Sequence, residues 1–130
     1  MAAGTEDFPD ETAIEHFQRT LGTVPEVISV LDENAPEFLE HYVKIRKSIL
    51  ADKPEGLDLA TKELIYVLLD VVYDNESGAI NHLRAALAAG LTPTALLDGL
   101  LQTLTVGGIQ TWGKTGHRVY LQALAECAGP

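Results

Sequence analysis

Residues 64–73 read LIYVLLDVVY, nine apolar side chains in ten with four of them β-branched, and the fold class turns on whether this run is a buried strand or a buried helix. β-Branched side chains favour strands. Length decides against one: the apolar run continues backward through Leu59, Ala60 and the helix formers Lys62 and Glu63, making a segment of roughly 17 residues against ~5–6 for a usual strand. Asp58 can cap its start by accepting a bond from a free backbone N–H, and the helix is predicted to end near Asp74. A helix this apolar all round has to be covered on most of its sides.

The neighbouring segments are helical by the same criteria. Downstream, residues 76 to 89 form a helix stopped by Gly90, and Thr92 with Pro93 caps and opens the run TALLDGLLQTLTV. Gly107 and Gly108 interrupt it, and a last helix is expected from about Ile109 to Ala125, carrying Trp112, His117, Tyr120, Leu121 and Leu124. Upstream, Ile14, Phe17 and Leu21 have helical spacing ended by Gly22, and a second short helix starts at Thr23–Glu26 with a proline in its first turn. Pro36 opens a third, with an apolar stripe of Phe38, Leu39, Tyr42, Val43, Ile45 and Leu50 and a wet face of Glu37, Glu40, Lys44 and Lys47. The clearest break is DKPEGLD, residues 52–58. The expectation is a flexible lead-in over residues 1–10 and a single all-α domain over 11–130. Two largely apolar helices exceed what one small domain can cover, so a homo-oligomer is expected.

Nineteen acidic against nine basic side chains give a net charge of −10, and the one dense basic run, Lys44, Arg46 and Lys47, is short. Nucleic acid and anionic membrane are therefore not expected as partners. The single cysteine, Cys127, excludes an internal disulfide and fits a reducing, cytoplasmic setting. No apolar run is long enough to span a bilayer, and no basic segment leads into one at the N-terminus.

Among titratable groups, Glu63 and His82 stand out because each interrupts a helix otherwise rich in apolar or small residues. A buried carboxylate needs a hydrogen-bond partner, and a histidine is a natural one. Helix geometry surrounds His82 with Gly78, Ala79, Ala85 and Ala86, a floor of small residues that suits either a close-packed second helix or a small pocket. Its place early in the helix would also let a substrate carboxylate rest against free N–H groups. In a hairpin through residues 74 to 77, however, Glu63 lies about 11 residues before the turn, or ~16 Å of rise, whereas His82 lies nearer it. This mismatch predicts contact through a bend, a linking group or a subunit boundary, unless His82 simply bonds a carbonyl in tight helix packing. Tyr66 and Asp70 share the Glu63 face, with Asp70 equally able to pair with a base from another subunit. Trp112 and His117 are placed to line the same cavity or to make core and subunit contacts. His16 and His41, among charged neighbours on amphipathic helices, have no assigned role. The four histidines are dispersed without ligand spacing, so no metal is expected.

The blocks KELIYVLL, NESGAINH and LRAALAAGLTPTALLDGLLQ resemble the core of the carboxymuconolactone decarboxylase and alkylhydroperoxidase D-like family. That core pairs a glutamate in a "KEL" helix with a Cys-x-x-Cys-x-x-x-His helix start, then an alanine-rich helix and a Gly-x-Thr turn. Upstream, LGTVPEVISVLDENAPEFLEHY is similar to the family's lead-in. The resemblance covers most of residues 21 to 106, implies an oligomeric all-helical fold of three or six copies, and matches Glu63 and His82 to the family's glutamate and histidine.

The two cysteine positions fall on Asn75 and Gly78. Peroxide reduction needs a thiolate and a second, resolving thiol, which neither residue supplies, and Cys127 is wrongly placed to substitute. What the resemblance then implies is acid–base chemistry without a cofactor: decarboxylation of a small carboxylated lactone or unsaturated or aromatic acid. Glu63 and His82 would be catalytic, with Tyr66, Asn75, Gly78, Trp112 and His117 against the substrate. A hydratase or aldolase using the same pair, and a non-catalytic ligand-binding assembly that has lost its thiols, are the rival expectations.

Overall fold

The computed structural model describes residues 10–129, which form two compact units dividing between Asp58 and Leu59, at the end of the DKPEGLD break. Most of the expected lead-in, residues 1–9, lies outside the described residues. No strand occurs among the described residues, so the all-α expectation holds.

The first unit carries α1 (Ala13–Leu21), α2 (Glu26–Asn34) and α3 (Pro36–Leu50). α1 begins in a capping box: the Glu15 N–H donates to Thr12 Oγ1 at 3.1 Å and the Thr12 N–H to Glu15 Oε1 at 3.0 Å. It ends where Gly22 takes a left-handed φ of 78°, a conformation that glycine adopts without strain. Pro36, lacking an N–H that the first turn would leave unpaired, opens α3. Phe17, Leu21, Ile28, Leu39 and Val43 are buried.

The second unit carries α4 (Leu59–Val72), α5 (Glu76–Ala88), α6 (Pro93–Gly107), a single turn α7 (Ile109–Thr111), a π turn (Trp112–Gly116) and α8 (His117–Cys127). Its core is Val67 and Val71 from α4, Ala79 and Leu83 from α5, Leu96 and Leu100 from α6, and Val119 and Ala123 from α8. Burying each of the larger ones contributes about 1.5–3 kcal/mol. Gly99 lets α6 approach α4, since a β-carbon there would lie 3.0 Å from Leu68 Cδ1.

Two details depart from expectation. The last helix is not continuous, because the chain widens into the π turn at WGKTG; the His117 N–H bonds the Trp112 carbonyl five residues back. Gly116 permits this, as a β-carbon there would stand 3.0 Å from the Thr111 carbonyl oxygen. And the reversal between α4 and α5 is tight: Asp74 adopts a left-handed φ of 59°, the Thr115 hydroxyl donates to its carboxylate at 2.5 Å, and the Asn75 N–H returns to the Asp70 carbonyl at 2.8 Å.

Candidate active site

That reversal brings Glu63 and His82 together. Glu63 lies nine residues before Val72, the end of α4, and His82 seven after the cap Asn75, so the offset is two residues. Two residues are ~3 Å of helix rise, well within reach of a glutamate and a histidine side chain. The expected mismatch came from centring the turn on residues 74–77, whereas the chain turns at Tyr73 and Asp74. His82 Nδ1 lies 2.7 Å from Glu63 Oε2, within one chain and without a bend or linking group.

Glu63 is buried, 1% exposed, and the imidazole is its partner. A carboxylate accepts, so Nδ1 carries the proton and donates it, which leaves Nε2 of the neutral ring with its lone pair. Nε2 has no hydrogen-bond partner among the described residues, and the His82 side chain keeps 15% of its surface. One nitrogen is held and the other is available.

The floor of small residues is corrected in part. Ala79 and Ala86 are fully buried in helix packing and offer no open surface. The ring is covered instead by Tyr66 of α4, whose centroid stands 4.6 Å away at a 33° tilt. At the start of α5 one of the first-turn donors is already taken, because Asn75 Oδ1 accepts the Gly78 N–H at 3.3 Å, and it also accepts the Ser77 hydroxyl at 3.4 Å. With that oxygen engaged, the Asn75 amide nitrogen turns to Asp70 and donates to Oδ1 at 3.3 Å. A β-carbon on Gly78 would lie 2.5 Å from Asn75 Nδ2 and 2.8 Å from Asp70 Oδ2. A cysteine at position 78 would therefore have to displace the ends of these two side chains. Burial pushes the Asp70 carboxyl above its usual range, with the His82 charge and the Asn75 bond pulling the other way.

Glu63, Tyr66, Asn75, Gly78 and His82 thus belong to one surface of the α4–α5 pair. Trp112 and His117 form a second group: His117 Nδ1 donates to the Trp112 carbonyl at 2.6 Å, the two rings lie 6.3 Å apart, and Trp112 packs on the unit's core and on Tyr120. No described hydrogen bond or ring contact ties this group to His82. No set of three or more His, Cys, Asp or Glu side chains is arranged for a metal among the described residues. Cys127 is exposed near the end of α8.

The first unit holds a polar cluster that the charged neighbours of His16 disguised. His16 is fully buried: Nδ1 lies 3.1 Å from Glu11 Oε1, and Nε2 accepts from Arg46 Nε at 3.2 Å. Arg46 is itself buried, over the Phe17 ring at 4.8 Å and donating to Thr20 Oγ1 at 3.3 Å. Arg19 completes the cluster with two bonds to Glu11. The basic run is therefore not a surface patch at Arg46. His16 and Arg19 lie three apart on one helix face, and Glu11 reaches them from just before the Thr12 cap.

The sequence pattern of the carboxymuconolactone decarboxylase family matches residues 36–113, which include Glu63, His82 and Trp112 and stop short of His117. A crystal structure from Burkholderia xenovorans LB400, described as a carboxymuconolactone decarboxylase by provisional assignment, is 35% identical; the match covers 89% of each chain, with a TM-score of 0.84. No curated protein matches.

Proposed function

The chain belongs to the carboxymuconolactone decarboxylase family, and from that premise and the Glu63–His82 contact we propose a cofactor-independent lyase that decarboxylates a small carboxylated lactone or unsaturated or aromatic acid. The observation carrying this reading is an imidazole with Nδ1 held by a buried glutamate and Nε2 unpartnered among the described residues.

In such a reaction the bond between the substrate carbon and its carboxylate breaks. The electron pair enters a conjugated carbonyl as an enolate, and carbon dioxide departs. Protonated His82 then delivers a proton from Nε2 to the carbanionic carbon as the carbonyl re-forms, and the ring regains its proton from water. Glu63 keeps the ring oriented and supports its positive charge while Nε2 is protonated. Tyr66 covers one face of the ring, which limits the directions from which substrate can approach. The start of α5, capped by Asn75 and faced by Asp70, is a poor seat for the departing carboxylate, so that group lies elsewhere. A thiol peroxidase is not proposed, for want of thiols at positions 75 and 78.

The test is a panel of carboxylated lactones and unsaturated and aromatic acids, read by mass spectrometry for loss of carbon dioxide. Turnover is expected on at least one, and His82→Ala is expected to lower it by about 10²–10⁴-fold with the helical fold kept. Binding without conversion across the panel, or an unchanged rate in His82→Ala, overturns the reading.

A further inference from the structure

Asp70 lies two helical turns along α4 from Glu63, over the turn of α5 that precedes His82, and is fixed more closely than an exposed carboxylate needs to be. On α4 Tyr66 and Asp70 follow Glu63 at three and seven positions, along a single face. On α5 the facing positions are Gly78 and His82, one turn apart. Asp70 Oδ2 reaches to 2.8 Å from the place of a Gly78 β-carbon, directly over that turn. Side chains on a helix tilt toward its N-terminus, so His82 leans toward the same turn. The carboxylate is aimed rather than loose: the Asn75 amide oxygen is committed to capping α5, and its nitrogen is thereby directed onto Asp70 Oδ1.

Resting on the lyase reading above, we propose that Asp70, aimed by Asn75 across the gap left at Gly78, is a positioning residue of this site whose carboxylate supports the positive charge on His82 when Nε2 is protonated. Glu63 does this from the Nδ1 side through a hydrogen bond. Asp70 does it through space, from the turn side. The Asn–Gly pair at the family's cysteine positions then has a function of its own: the gap at 78 and the amide at 75 admit and hold a second carboxylate where the redox pattern carries sulfur.

The other charged groups on the elements packed against α4 are engaged elsewhere or do not bear on Asp70. Glu76 pairs with Arg118 and Arg84 with Glu126. Asp98 of α6 and Lys114 of the π turn leave His82 as the charge acting on the Asp70 carboxyl.

The experiment is a carbon-13 NMR titration of the side-chain carboxyls of the full chain, with Asp70 assigned by its loss in Asp70→Asn. Asp70 is expected to titrate above its ordinary 3.8, and higher again in His82→Gln, by on the order of half a pH unit, because the positive charge a histidine carries in acid has been removed. Asn75→Ala is expected to move it in the same direction by removing a donor to the charged form. An Asp70 midpoint unmoved by His82→Gln, in a variant whose amide spectrum shows the fold intact, overturns the coupling. This outcome is independent of the lyase reading: a panel without turnover leaves the coupling standing, and an uncoupled Asp70 leaves decarboxylation by Glu63 and His82 standing.

Discussion

Gly78 is glycine because two polar side chains already fill the volume a β-carbon would take, one of them at 2.5 Å. Gly78→Ala must therefore push Asn75 off its cap or Asp70 off its partner. Loss of the Asn75 donor is expected to raise the Asp70 midpoint in Gly78→Ala; an unmoved Asp70 midpoint would contradict the packing described. Asn75→Ala, losing both the cap and the bond to Asp70, is expected to destabilise the chain by about 0.5–2 kcal/mol through the cap, read as a shift in the denaturant midpoint. Glu63 and His82 were legible as candidates from their spacing and from the residue types around them. Their direct contact was not, because it depends on a left-handed Asp74, and an aspartate gives only a weak signal for that conformation. Tyr66 as the cover on His82 was hidden for a similar reason, since helix spacing names neighbours within one helix and not the ring arriving from the next.

Helix α1 is tied to α3 by His16, whose ring donates to Glu11 and accepts from Arg46. Arginine stays protonated and can only donate, so the ring has to be neutral for both bonds to exist. Burial lowers the His16 pKa below its ordinary 6.5, with Arg46 and Arg19 adding to the effect and Glu11 opposing it. The unfolded chain then binds the extra proton between 6.5 and the lower folded value, so the contribution of His16 is complete above pH 6.5 and is lost as pH falls through the folded value. Glu11, held down to about 2 from 4.5 chiefly by Arg19, adds a second loss as pH drops from 4.5 toward 2. The urea midpoint is expected to fall between about pH 7.5 and 5.5, and to fall less in His16→Gln; equal pH responses would contradict this account. Helix starts and stops were plain in Gly22, Pro36 and Thr92–Pro93, where capping chemistry is local. The burial of His16 was not, because its partner Arg46 is 30 residues away and charged neighbours along one helix look like a wet face. The π turn leaves no mark on the apolar pattern, because Trp112 is the one apolar side chain in WGKTGH; the two glycines flanking Lys114 and Thr115 are its one local sign.

Across the whole molecule, large apolar side chains remain exposed in helical register: Phe38, Tyr42, Ile45 and Ile49 along α3, and Ile65, Leu69 and Val72 along α4. We propose that copies of the chain cover them, in an assembly of three or six. Light scattering at micromolar concentration is expected to give such a mass, and Leu69→Lys a smaller one; a wild-type monomer would contradict the proposal. No helix among the described residues is long and apolar enough to cross a membrane, so a bilayer-spanning helix does not account for these stripes. The functional account rests on a smaller feature, the proton between His82 and Glu63. Nitrogen-15 NMR of the imidazole reports it directly. The account predicts that the neutral His82 ring carries its proton on Nδ1 with Nε2 bare, and that Glu63→Gln disturbs this preference. A neutral ring with its proton on Nε2 and Nδ1 bare would leave the Glu63 carboxylate without its donor, and would contradict it.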